Sequence, residues 1–133
     1  NRKDNTIFPR ICIVSTKANE FMSINSKIKG NRFETDTAFM LRQKLGWHDC
    51  RTSRFMGRLW EDHLGVDLTG TPGFNVQCKA VEKLSPGYHE ILSEMPQGNN
   101  TNIVIHKRNN KGIIAAMALD DLIKILKKAK ENE

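Results

Sequence analysis

Two short runs near the middle of the chain carry its clearest hydrophobic pattern. In the first, Val66 and Leu68 flank Asp67, so a strand there buries two apolar side chains and turns the carboxylate to the opposite face. In the second, Phe74, Val76 and Cys78 alternate with Asn75, Gln77 and Lys79. Gly70, Thr71, Pro72 and Gly73 between them form a turn sequence. The pattern predicts a hairpin that gathers a carboxylate, an amide oxygen and an ammonium in one small place.

Upstream of the hairpin the period changes. Residues 31–45 put Phe33, Ala38, Leu41 and Leu45 near one stripe, with Thr37 and Met40 beside them, and Gly46 closes the run. This predicts a helix. Glu34 lies four residues before Ala38 and seven before Leu41, on or beside the buried face. A carboxylate in that position needs a partner. A metal ion is one candidate, and the dipole of the helix's first turn is the other. Residues 47–64 are rich in Arg, with Arg51, Arg54 and Arg58 at helical spacing. They form either a face that grips phosphates or an ordinary solvated surface. Ser53 among them reads as a plain loop hydroxyl.

Downstream, Ser85–Pro86–Gly87 breaks the chain and residues 88–95 predict a short helix. Residues 103–105 and 113–118 predict strands on either side of a basic turn at 107–112. Asp120 or Asp121 is placed to cap a last helix, with Leu122, Ile123, Ile125, Leu126 and Ala129 inward and Lys124, Lys127, Lys128 and Lys130 outward. Residues 7–14 are apolar around Pro9 and predict an edge strand or an extended arm. The expected organisation is an N-terminal arm or extension over residues 1–25 and one domain over 26–133. The fold class is α/β, a central mixed sheet flanked by helices.

Composition narrows the setting. With 133 residues, 38% hydrophobic and 27% charged, the chain suits a single soluble domain with its own core. No apolar run reaches the roughly 20 residues of a membrane helix, and the start of the chain lacks a secretory pattern, so no membrane partner is expected. Cys12, Cys50 and Cys78 have no paired spacing, which argues against a disulfide framework or zinc site and for a reducing, cytoplasmic compartment. The four His are scattered, without ligand spacing. A net charge of +6 leans toward a polyanionic partner.

The chemistry of the hairpin follows from its donors. A carboxylate and a neutral oxygen are hard ligands suited to Mg²⁺, and a lysine beside such an ion stabilises phosphate charge or helps activate water. Without a metal the same three polar groups are simply the wet face of an amphipathic hairpin. Asp62 is a rival for the metal-site position, but its spacing to Lys79 is longer and no alternating strand surrounds it.

The arrangement of Glu34, Asp67 and Gln77–Cys78–Lys79 resembles the PD-(D/E)XK nuclease superfamily. The core of that superfamily carries an acidic residue on a first helix, an Asp beginning a second strand, and a Glu or Gln two residues before a Lys on a third. The upstream stretch Ser26–Lys27–Ile28–Lys29–Gly30–Asn31–Arg32–Phe33–Glu34 is similar to the opening of phage and archaeal Holliday-junction resolvases. The resemblance spans roughly residues 26–126. Two features depart from the common pattern: Val66 rather than Pro precedes Asp67, and Gln77 stands where most members have Glu. The Gln–x–Lys form is more typical of methyl-directed restriction nucleases.

The resemblance implies a restriction-endonuclease-like core, a bacterial, phage or archaeal source, and Mg²⁺-dependent (or Mn²⁺-dependent) hydrolysis of DNA. Asp67, the Gln77 side chain and the Cys78 carbonyl would hold the metal, Glu34 would bind a second ion or orient water, and Lys79 would stand by the attacking water or scissile phosphate. Lys29, Arg32, Arg51, Ser53, Arg54 and Arg58 are the expected DNA contacts. The small size favours a homodimeric resolvase of branched DNA, since symmetric cleavage of a four-way junction needs two sites about a two-fold axis. The alternatives are a duplex-cutting restriction or repair module, and a DNA-binding protein whose site has degenerated.

Overall fold

The computed structural model describes the backbone of residues 16–132 and the side chains of 25–132. The predicted arm at residues 7–14, and Cys12 within it, lie outside the described residues. The elements in chain order are α1 (Thr16–Leu45), β1 (Arg51–Thr52), α2 (Leu59–His63), β2 (Leu68–Thr69), β3 (Phe74–Lys79), α3 (Tyr88–Glu94), β4 (Thr101–Arg108), β5 (Gly112–Ala116) and α4 (Leu119–Glu131). The strands form one mixed sheet in the order β1-β2-β3-β4-β5. β3 and β4 are parallel, and every other neighbouring pair is antiparallel. The α/β class read from the sequence is therefore observed.

Strand alternation sorts the side chains between two layers. On one face Val76 and Cys78 of β3 and Leu68 of β2 pack with Phe33 and Ala38 of α1, and Ile103 and Ile105 of β4 join them. On the other face Val104 of β4 packs with Ile91 and Met95, on and just after α3. The crossover through α3 that makes β3 and β4 parallel thus supplies the second layer. Asn75 Nδ2 donates to Asn102 Oδ1 (2.8 Å), tying the two parallel strands through their side chains.

Three elements differ from the sequence reading. The first helix begins at Thr16, not near residue 31, so the basic stretch before Glu34 is itself helical and α1 passes through residues 25 and 26 without a break. Gly30 is tolerated inside it, at a propensity cost of about 1 kcal/mol. The stripe of α1 that meets the sheet is Phe33, Thr37 and Ala38, whereas Leu45 is exposed. The last helix starts from Ala118 without a side-chain cap, and Asp120 and Asp121 fall in its first turn. α4 buries none of its residues, so the inward face expected for it is open. No helix among the described residues is long and apolar enough to cross a membrane.

The hairpin turn is the tightest point of the fold. Gly70 sits at φ +69°, in the left-handed region. A Cβ there would fall onto the Asp49 carbonyl, which is backbone and cannot swing aside. Gly70→Ala is expected to destabilise the protein by about 2 kcal/mol or more, read as a lowered midpoint in urea unfolding; an unchanged midpoint would show that the turn relaxes freely.

Candidate active site

Asp67 is built into the structure at four points. Its N–H donates to the Val76 carbonyl (2.8 Å), and its own carbonyl accepts from the Ser53 N–H (2.8 Å). The residue before it is held by the Ser53 hydroxyl, which donates to the Val66 carbonyl (2.7 Å). Its Oδ2 accepts from the Cys78 N–H (2.7 Å). A buried carboxylate (7% exposed) therefore takes the place of a backbone acceptor between the first and second halves of the hairpin.

Two further carboxylates come to it from helices. Glu34 stands on the sheet-facing side of α1, one residue from Phe33 and four from Ala38, the two residues that anchor that helix in the core. Asp62 arrives on α2, a single turn whose end is folded back by bonds from Val66 N–H to the Glu61 carbonyl (2.9 Å) and from Gly65 N–H to the Asp62 carbonyl (3.0 Å). One oxygen each of Glu34, Asp62 and Asp67 lies within 4.8 Å of the others. Three hard oxygen donors at that separation can hold a divalent cation of the Mg²⁺ or Mn²⁺ type.

Gln77 and Lys79 project from β3 into an adjoining cavity of about 230 Å³, which Asp62, His63, Gly65, Glu94 and Met95 also line. Asp62 is common to the cavity and the carboxylate cluster. Gly65, at φ +84°, makes room for the Gln77 amide, since a Cβ there would stand 2.9 Å from Oε1. The cluster also has a cation of its own. Arg54 donates from Nη2 to Glu34 Oε1 (3.0 Å), and its buried Nε has no hydrogen-bond partner among the described residues.

The electrostatics follow from burial and crowding. Burial pushes the Asp67 carboxyl from 3.8 up to about 8, helped by a hydrogen bond with the Asp62 carboxyl and by the nearby Glu34 charge, and opposed by the Cys78 N–H. Burial also raises Glu34, against the pull of Arg54. The Cys78 thiol is pushed well up, by burial first and then by the two carboxylates, so it stays protonated and packs as a small apolar group.

Among the residues singled out from sequence, Glu34 and Asp67 converge, and Gln77 and Lys79 stand in the cavity that shares Asp62. The contact that ties Cys78 to the site is its N–H rather than its carbonyl. Asp62, set aside in favour of Asp67, belongs to the cluster together with it. Asp62 lies five residues before Asp67 in no alternating run, so its sequence context gives only a weak signal.

The expected DNA contacts fare differently. Arg51, Arg54 and Arg58 do not share a helix face: Arg51 lies on β1, Arg54 in the turn after it, and Arg58 just before α2. Each has an internal partner. Arg51 donates to the His48 and Cys50 carbonyls, Arg54 to Glu34, and Arg58 to Glu61 at 2.7 Å. Ser53 is fully buried and spends its hydroxyl on Val66, so it faces no solvent and no phosphate. Lys29 donates to Asn109 Oδ1 (2.8 Å) in the β4–β5 turn, and Arg32 is exposed on α1.

Comparison with protein-family models, with characterised proteins and with solved structures gives no significant match.

The raised Asp67 group has a thermodynamic consequence. The folded metal-free protein holds a proton that the unfolded chain releases near pH 4, so stability is greatest below that pH and falls as pH rises toward about 8. The melting temperature of the metal-free protein is expected to drop across this window, and to drop less in Asp67→Asn. A wild-type profile identical to that of Asp67→Asn would refute the proton assignment.

Proposed function

We propose that this chain is a divalent-metal-dependent endonuclease that hydrolyses DNA phosphodiesters, with a core of the PD-(D/E)XK kind. The observation that carries the reading is the meeting of Glu34, Asp62 and Asp67 within 4.8 Å. Further support comes from their positions: an acidic residue on the first long helix, an Asp immediately before the second strand, and Gln77 and Lys79 on the third. That is the order the superfamily resemblance implies.

Glu34, Asp62 and Asp67 would hold the divalent ion, which would lower the pKa of bound water and offset charge building on the phosphate. The chain's own residues supply the rest. Cys78 N–H and the Ser53–Val66 bond fix the Asp67 carboxylate before any ligand arrives. Lys79, in the cavity beside Asp62, is positioned to donate to a phosphate oxygen. Gln77 offers a neutral oxygen, so its presence keeps the negative charge of the site lower than a Glu would. The attacking water forms the new P–O bond as the bond to the leaving oxygen breaks, and that oxygen leaves with a proton from solvent. We further infer a branched DNA substrate and a two-fold dimer, on the resemblance to junction resolvases.

A second reading is favoured by one contact. Arg54 already neutralises Glu34 at 3.0 Å, which leaves that carboxylate less free to take a metal ion and favours a DNA-binding protein whose site has degenerated. The two readings separate in a cleavage assay on four-way junctions and linear duplex with and without Mg²⁺. For a nuclease, Asp67→Ala and Lys79→Ala each lower the metal-dependent rate by about 100-fold or more. Junction binding with no metal-dependent cleavage supports the second reading. Calorimetric titration with Mn²⁺ tests the cluster itself: Asp62→Asn is expected to weaken binding by about tenfold or more, and Gln77→Glu to strengthen it. Mn²⁺ affinity unaltered by Asp62→Asn would remove Asp62 from the site.

A further inference from the structure

The segment between β1 and β2 exposes more apolar surface than its length accounts for. Phe55 is 74% exposed and Trp60 60%, and Met56, Leu59 and Leu64 are each at least half exposed. A solvated loop gains nothing from such residues, and several exposed large apolar side chains in one short segment are characteristic of a binding surface. The segment is also tied to the acidic cluster. Trp60 and Asp62 sit two residues apart on α2, and residues at that spacing point to opposite sides of a helix. Asp62 turns inward to Glu34 and Asp67, and Trp60 turns out to solvent.

The chemistry of the patch selects its occupant. The Arg58 guanidinium, held by Glu61 at 2.7 Å, lies over the Trp60 ring, 5.8 Å from its centroid, and so backs an indole that is still 60% exposed. Nucleobases stack on exposed aromatic faces of this kind. The net charge of +6 draws a polyanion to the surface. A duplex keeps its bases stacked on one another and offers an aromatic ring no free face, whereas a branch point or a single-stranded stretch does.

We propose that Trp60, backed by Arg58, is a stacking platform for an unpaired nucleobase, and that it directs branched or single-stranded nucleic acid to the carboxylate cluster in preference to duplex. The proposal rests on the nuclease reading for its partner but not for its test.

The test uses Ca²⁺, so that no cleavage is needed, and a labelled four-way junction, single-stranded oligothymidine and linear duplex of matched length. Anisotropy reads binding and indole fluorescence reads stacking. The platform predicts that junction and single strand quench the wild-type emission at saturation and that Trp60→Leu abolishes the quench. It also predicts that Trp60→Leu weakens binding of those two ligands by about 5- to 100-fold and duplex binding by less than twofold. Binding without any change in emission, or an equal loss for all three ligands, overturns the platform and leaves the nuclease reading standing. Failure to bind any of the three overturns both. A quench by anionic phospholipid vesicles without one by nucleic acid assigns the patch to a membrane surface and overturns the platform. Since Trp60 is exposed, Trp60→Leu keeps the core intact, and an unchanged melting temperature verifies it.

Discussion

The Asp67 carboxylate, buried and bonded to the Cys78 N–H, is the constraint around which this protein is arranged. A carboxylate removed from water must be neutralised by a proton, a cation or strong donors. The fold provides one backbone donor and then brings two more carboxylates toward it. That arrangement raises the charge problem instead of relieving it. Packing alone gives no reason to assemble it, because an apolar group in the same place would stabilise the hairpin more simply. A proton on Asp67 and the Arg54 guanidinium on Glu34 offset part of that charge, and a divalent cation could offset the rest.

The hairpin was legible because its determinants are local. Period-two alternation in 74–79 and the Gly–Thr–Pro–Gly turn both act over a few residues, and β2 and β3 form where they indicate. The short helix α3 was legible for the same reason, after the Pro86–Gly87 break. The long extension of α1 was not. Its first half is mixed in composition, with Ser and Asn among its apolar residues, which obscures where the helix begins. The open face of α4 was also missed, since amphipathicity says which side of a helix is apolar but not whether the fold supplies a layer to cover it.

The site divides in the same way. Glu34 and Asp67 were found because each sits in an element whose face can be counted from the sequence. Asp62 was not, because α2 is a single turn with no period to read, and its approach to Asp67 depends on the backbone bonds from Gly65 and Val66. Ser53 was misassigned because a hydroxyl in a loop looks available until the loop folds inward; its bond to the Val66 carbonyl depends on a residue thirteen positions away. The arginines illustrate a further limit: spacing of three and four suggests a helix, yet Gly57 at φ +72° reverses the chain between Arg54 and Arg58 and sends them to different partners.

The two margins of the sheet are unequal. β1, beside the carboxylates, has only two residues, while β5 at the far margin has five and is unpaired on its outer side among the described residues. A strand edge of that length is a template onto which another extended segment can be laid, and basic residues such as Lys111 beside it discourage indiscriminate addition. The molecule thus keeps its acidic cluster at the margin too short to grow and leaves the opposite one open to accretion.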